Sequence, residues 1–139
     1  MFEVDHSLFY LRSPSFFGPK YWDALYFTVL GFPLTLTPTH KKEFTNLLKT
    51  FHVFLPCEIC RKHFEIEVQN VRKFDSRDEA IREVLRLHNS VRARLEKPPF
   101  KESDILDHFY GQYALNQRLL FLVVFLVVLL LLLLVKGLS

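Results

Sequence analysis

Apolar residues recur every three or four positions along most of this chain, which is the spacing of one face of an α-helix. Four such stretches begin near Pro19, Pro38, Pro56 and Ser76, where proline or a capping residue favours a helix start. The first stretch ends near Gly31, and a last short helix is expected from about position 103 to position 110. The pattern therefore predicts an all-α fold in which short connections join the helices into a bundle.

The two ends of the chain depart from this pattern. Residues 1–17 are rich in aromatic side chains and are interrupted by Pro14, which predicts an irregular lead-in to a domain of residues 18–112. Residues 119–135 contain no polar side chain, and a helix of that length rises about 25 Å, at the short end of what crosses a bilayer. Arg118 and Lys136 flank this stretch as interfacial cations. The sequence predicts a tail anchor over residues 117–136, with the domain on the cytosolic side.

Charge and cysteine content narrow the classes of function. The formal net charge of +3 gives no support for a nucleic-acid partner. Residues 61–101 hold eleven of the eighteen Lys and Arg, which indicates either a solvated basic face or a site for an anion such as a pyrophosphate. The two cysteines, Cys57 and Cys60, are too few for a disulfide-stapled scaffold. Their spacing indicates redox chemistry or half of a metal site.

The C-x-x-C segment after Pro56 predicts a reactive pair of thiols. Proline suits the first position of a helix, so Cys57 is expected in the first turn, where free backbone N–H groups favour an anion. A thiolate there matters because the thiolate is the attacking species, and the spacing lets Cys57 and Cys60 form a disulfide. Two alternatives remain: a zinc site that adds His63 and His88 without a second paired ligand motif, or two inert buried cysteines.

His88 and Asn89 share the fourth predicted helix with three cations. An amide can bind the edge of a nucleobase, and cations can neutralise a pyrophosphate. Trp22 and Tyr26 lie on one face of the first predicted helix and could stack against flat rings. No Gly-rich dinucleotide fingerprint is present, so a dinucleotide would have to lie between helices. A core histidine, core aromatics and a solvated basic face remain open alternatives. The cations are Arg92, Arg94 and Lys97.

Three segments, in the same order and at similar separations, resemble the Erv/ALR family of sulfhydryl oxidases. Residues 54–64 resemble its C-x-x-C redox motif, residues 88–100 its HNxVN…LGKPxF flavin segment, and residues 18–22 its G-x-x-x-W element. The chain differs from the family at three positions, and it lacks the shuttle cysteine pair and structural disulfide that many members carry. Arg92 stands where the family has an asparagine, Glu96 where it has a glycine, and Tyr26 where it has a histidine.

The resemblance implies a four-helix cradle for FAD with a short fifth helix, in a homodimer. It implies that Cys60 lies beside the flavin ring and that Cys57 meets the thiol of a protein substrate. The implied activity passes electrons from dithiols to FAD and then to O₂, with disulfides and hydrogen peroxide as products. The implied cofactor contacts are Gly18, Trp22, Tyr26, His63, His88, Asn89, Val91, Arg92, Arg94, Lys97 and Phe100.

With two cysteines and a membrane tail, this chain resembles the forms of the family that large DNA viruses carry. That resemblance implies a host or virion membrane as the location. The alternatives from other classes are a non-catalytic, tail-anchored helical adaptor and a zinc-binding scaffold. No resident metal is expected in the oxidase.

Overall fold

The computed structural model describes residues 10–137, without the side chains of residues 112, 113 and 133–137. Within this part of the chain no β-strand forms, and one isolated antiparallel bridge joins Thr35 to Ser76. The predicted all-α class is therefore confirmed. The chain divides into two compact units, one that ends at Pro99 and one that begins at Phe100. The helices are α1 (Pro14–Leu30), α2 (Pro38–Thr50), a 3₁₀ helix (Phe51–Phe54), α3 (Glu58–Val68), α4 (Arg77–Arg94) and α5 (Glu102–Gly137).

The first helix begins earlier than the sequence predicts. Ser13 has the extended backbone of an N-cap, and Pro14 occupies the start of α1, where its missing N–H would have no partner in any case. Pro19 lies inside the helix, so it does not mark the start. Phe17, in the first turn of this helix, is buried and its ring packs against Tyr21. The predicted lead-in is therefore wrong for residues 14–17, and residues 1–9 lie outside the described part.

Capping side chains fix the starts of α2 and α4. The Thr37 hydroxyl accepts the His40 backbone N–H at 3.2 Å, ahead of Pro38 in the first turn of α2. The Ser76 hydroxyl accepts the Glu79 N–H at 3.3 Å, which confirms the predicted cap of α4. These caps place both helices so that their apolar faces can meet the rest of the first unit.

The core of the first unit is formed by the apolar faces of α1, α2 and α4. Leu25 and Val29 of α1, Leu48 of α2, and Val84 and Leu87 of α4 are all less than 2 % exposed. Burial of each such side chain contributes roughly 1.5–3 kcal/mol. Because α1 packs directly against α4, residues on the facing sides of these helices can share one site.

The second unit contains one long helix where the sequence predicts two. A short helix to Tyr110 and a separate membrane helix were expected, but α5 runs without interruption from Glu102 to Gly137. Gly111 does not end it, because one glycine costs only about 1 kcal/mol in a helix interior, whereas a proline would cost about three times as much. By length and composition, the segment Glu102–Leu132 could cross a membrane.

Glu96 has a left-handed backbone, with φ 55°, just beyond the end of α4. An L-residue with a side chain pays a steric cost in this conformation, whereas glycine adopts it freely. We expect Glu96→Gly to raise the free energy of unfolding by about 0.5–1 kcal/mol, measured by denaturant titration. The matched control Glu65→Gly, inside α3, should lower it by about 1 kcal/mol. A loss of stability in Glu96→Gly would contradict this explanation.

Candidate active site

Cys57 and Cys60 form a disulfide at the start of α3, with their Cα atoms 5.1 Å apart. Cys57 is the N-cap residue, with φ −103° and ψ 120°, and its Sγ accepts the Cys60 backbone N–H at 3.2 Å. The expectation that Pro56 occupies the first helical position is wrong, since Pro56 precedes the cap. The sulfur of Cys57 therefore lies directly over the free N–H groups of the helix, which favour a negative charge.

The segment that leads into the disulfide is held by three hydrogen bonds. The Tyr21 hydroxyl donates to the Phe54 carbonyl at 2.9 Å. The Arg61 guanidinium donates through Nη1 to the Leu55 carbonyl at 2.7 Å, and the Arg61 backbone N–H donates to the Cys57 carbonyl at 2.9 Å. The backbone is thus fixed on both sides of Pro56.

The disulfide lines a cavity of about 440 Å³. This volume lies within the range of roughly 300–1,000 Å³ that is usual for small-molecule sites. The walls are mainly apolar and aromatic, and they come from α1, the 3₁₀ helix, α3 and α4. The lining residues are Pro14, Phe17, Gly18, Tyr21, Trp22, Phe51, Leu55, Cys57, Ile59, Cys60, His63, Phe64, Val91, Arg94 and Leu95.

Behind one wall of the cavity, Trp22 of α1 stacks on His88 of α4. Their ring centroids are 4.2 Å apart and the planes differ by 11°. The buried Tyr26 hydroxyl shares a hydrogen bond with His88 Nδ1 at 3.2 Å. Burial, helped by the charge of Arg92, lowers the pKa of His88 to about 4, so its imidazole is neutral near pH 7. Burial raises the pKa of Tyr26, which keeps its proton.

The three cations that the sequence singles out have different surroundings. Arg94 lines the cavity, and its guanidinium pairs with Glu67 of α3 at 2.6 Å. The Arg92 Nε donates to the Pro98 carbonyl at 2.6 Å. Lys97 is exposed, and its backbone N–H donates to the Arg92 carbonyl at 2.9 Å. Only Arg94 of the three therefore contributes to the cavity wall.

The structure brings part of the predicted site together. Gly18, Trp22, His63, Val91 and Arg94 line the cavity with both cysteines. Tyr26 and His88 are linked to it through Trp22, whereas Asn89, Arg92 and Lys97 are not in its lining. Phe100 belongs to the second unit.

The sequence reading missed most of the aromatic wall. Phe17 and Tyr21 pack ring to ring at 5.6 Å, and Tyr21 also meets Phe51 of the 3₁₀ helix at 5.5 Å. Positions 14, 17, 18, 21 and 22 have the three- and four-residue spacing of one helix face. This spacing is visible in the sequence. The prediction of an irregular segment over residues 1–17 left positions 14 and 17 out of the helix, so the shared face was not found.

Within residues 10–137, no three His, Cys, Asp or Glu side chains converge where they could hold a metal ion. The zinc set that the spacing left open is divided: His63 lines the cavity with the disulfide, whereas His88 contacts Trp22 and Tyr26.

A helix-capped disulfide beside an aromatic cavity defines a thiol–disulfide site in an all-α fold. A profile of the Erv1 / Alr family matches residues 19–111, and the chain belongs to this family. The mitochondrial FAD-linked sulfhydryl oxidase ERV1 of Saccharomyces cerevisiae is 32% identical over 84 residues, which cover 60% of this chain and 44% of that protein. The putative FAD-linked sulfhydryl oxidase 088R of Frog virus 3 is 33% identical over 91 residues, which cover 61% of this chain and 60% of that protein. The chain thus spans about half the length of these relatives.

Solved structures agree with this assignment. The yeast Erv1 core superposes with a TM-score of 0.63 at 28% identity, covering 69% of this chain and 82% of that one. The FAD binding domain of Erv1 from Saccharomyces cerevisiae gives a TM-score of 0.58 at 30% identity, covering 63% of this chain and 85% of that one. The resemblance noted in the sequence is confirmed.

The neutral state of His88 makes the stability of the first unit depend on pH. Its pKa is about 4 in the folded chain and near 6.5 when unfolded, so between these values the unfolded chain binds more protons. The free energy of unfolding therefore has its full value, as far as His88 is concerned, above pH 6.5, and it decreases as the pH falls towards about 4. Urea unfolding at a series of pH values should show this decline, and His88→Gln should flatten it. An unchanged slope in His88→Gln would assign the decline to other groups.

Proposed function

We propose that this chain is an FAD-dependent sulfhydryl oxidase that forms disulfides in protein substrates. The observation that carries the proposal is the position of the Cys57–Cys60 disulfide in the wall of an aromatic cavity. The names of its relatives, which are FAD-linked sulfhydryl oxidases, support the same activity.

The residues around the cavity fit the flat ring system of a flavin. Aromatic and aliphatic side chains suit the flat faces and the dimethylbenzene end of the tricyclic ring, and the Arg94 guanidinium offers a cation to a phosphate. When bound, FAD supplies two-electron chemistry, taking electrons from a thiol pair and passing them to O₂ to give hydrogen peroxide. The residues we assign to this part of the cofactor are Gly18, Trp22, His63, Val91 and Arg94.

The remaining predicted contacts are assigned to the nucleotide part of FAD. Asn89 offers an amide to the base, and Arg92 and Lys97 offer cations to the phosphates. Tyr26 and His88 act through Trp22, because the stacked imidazole holds the indole at the cavity wall. The assignment of Phe100 rests on the family motif.

The cysteines carry the exchange with substrate. A substrate thiolate attacks Sγ of Cys57, the Cys57–Cys60 bond breaks, and Cys60 leaves as a thiolate. A second substrate thiolate then attacks the substrate sulfur of the mixed disulfide, and Cys57 leaves as a thiolate. Two electrons pass from the substrate to the cysteine pair. The N–H groups at the start of α3 stabilise the thiolate of Cys57, because its Sγ already accepts one of them.

The family resemblance also supports a proposal for the helical cradle, the oligomeric state and the membrane anchor. We propose that α1–α4 form the four-helix cradle for FAD, that the first turns of α5 act as the short fifth helix, and that the protein is a homodimer. The apolar part of α5, over residues 117–136, is proposed to anchor the chain in a host or virion membrane with the domain in the cytosol. Protease protection in sealed microsomes reports on which side the domain lies.

We expect Cys57→Ser and Cys60→Ser each to abolish thiol-dependent oxygen consumption while the purified protein stays yellow. Either change removes the disulfide, whereas the cavity walls that hold the cofactor remain. Absorbance at about 450 nm, typical of oxidised flavin, measures cofactor retention, and an oxygen electrode measures turnover. A folded but colourless wild-type chain would exclude the oxidase and favour an adaptor.

We expect Arg94→Ala and Arg92→Ala to weaken FAD retention by about tenfold each, since a charge-assisted hydrogen bond contributes roughly 1.5–3 kcal/mol. Flavin released on gel filtration measures retention. Arg82→Ala is the matched control, because Arg82 is an exposed arginine of the same helix outside the cavity lining. Equal retention in all three variants would show that α4 does not bind the phosphates.

A further inference from the structure

Arg61 contacts both ends of the backbone segment that carries Cys57. It follows Cys60 directly in α3, and its Nη1 donates to the carbonyl of Leu55 at 2.7 Å. Its backbone N–H donates to the carbonyl of Cys57 at 2.9 Å. Pro56, between these two carbonyls, has no N–H of its own to hold the segment. The backbone bond is the first i→i−4 bond of α3, so the helix holds the chain after the proline and the Arg61 side chain holds it before the proline.

The Arg61 side chain bonds a carbonyl at the wall of the cavity. Leu55 is 8 % exposed and forms part of the cavity wall, so its carbonyl faces a partly buried environment. A carbonyl that loses its partner in such a place costs about 1–3 kcal/mol. The Arg61 contact thus favours one path for segment 55–57, and that path sets the N-cap geometry of Cys57.

The charge of Arg61 also acts on the turn in which thiolates form. A guanidinium stays protonated at every relevant pH. The pKa of Glu58, which lies between the two cysteines, is lowered mainly by its hydrogen bond to Lys62, and the charge of Arg61 adds to this effect. Glu58 and Lys62 pair with each other at 2.9 Å on the surface, so their charges largely cancel. Arg61 instead bonds a neutral carbonyl, and that contact leaves its charge in place.

We propose that Arg61 is a positioning residue for the Cys57–Cys60 pair. Its guanidinium keeps segment 55–57 in place, so that Cys57 remains the N-cap of α3 after the disulfide opens, and its charge stabilises the reduced pair. The proposal rests on the proposed function only in requiring a redox-active disulfide.

The test is the redox equilibrium between this disulfide and dithiothreitol. The reagent's two thiols reduce the Cys57–Cys60 bond and close to a cyclic disulfide, so two electrons and two protons move to the protein. The full-length chain in detergent is equilibrated without oxygen in buffers of known reagent ratio, quenched with acid, alkylated and weighed by mass spectrometry. Arg61→Met should shift the equilibrium constant towards the disulfide by about 3–10-fold, the effect of losing a nearby charge.

Two further variants separate the effect of the Arg61 side chain from the effect of any nearby positive charge. Arg61→Lys keeps the charge and should recover part of the shift. Lys62→Met makes the matched change one residue later, at an exposed side chain paired with Glu58, and should change the constant by less than about twofold. The proposal is overturned if Arg61→Met stays within about twofold of wild type, or if Lys62→Met shifts the constant as much.

The outcome can be told apart from a failure of the oxidase proposal. Circular dichroism checks folding, and Arg61→Gln replaces Arg61→Met if the latter does not fold. Flavin absorbance and oxygen consumption of the wild type test the oxidase, whereas the dithiothreitol equilibrium needs neither. A wild type without flavin would sink the oxidase and leave the Arg61 measurement valid. If the wild type is an active oxidase but the dithiothreitol equilibrium does not change in Arg61→Met, the oxidase proposal stands and the Arg61 proposal fails.

Discussion

The hydrogen bond from the Cys60 backbone N–H to the Cys57 sulfur is the interaction on which the site depends. The first turn of any helix has N–H groups without helical partners, and a cap must satisfy them. Here the cap is a sulfur that also belongs to a disulfide, so one atom both starts α3 and lines the cavity. The cap lies at the end of segment 55–57, in which Leu55 belongs to the cavity wall and accepts a hydrogen bond from Arg61.

The contact between α1 and α4 supplies the other half of the site. The stacked Trp22 and His88 rings, with the Tyr26 hydroxyl on the imidazole, join the two helices next to the cavity. Burial of this group has an electrostatic result as well as a packing one, because it keeps His88 neutral and Tyr26 protonated.

The three departures from the family motif each have a local structural partner or consequence. Tyr26, where the family has a histidine, bonds His88. Arg92, where the family has an asparagine, donates to the Pro98 carbonyl and so ties the end of α4 to the following loop. Glu96, where the family has a glycine, keeps the left-handed backbone that glycine would adopt more easily.

The sequence by itself determined the all-α class, the starts of α2 and α4 and the Cys57–Cys60 pair. Five of its eleven predicted cofactor contacts line the cavity. These features depend on neighbours along the chain: caps, prolines and helical spacing act within a few residues. Only the tertiary structure decided that α1 begins at Pro14, that Cys57 rather than Pro56 adjoins the helix as its cap, and that Arg94 reaches the cavity while Arg92 turns to Pro98. The Arg94–Glu67 pair and the Tyr21–Phe54 hydrogen bond join residues far apart in the chain, and spacing within one helix does not predict such contacts. The other outcomes are choices among local caps and partners that the sequence pattern left equally open.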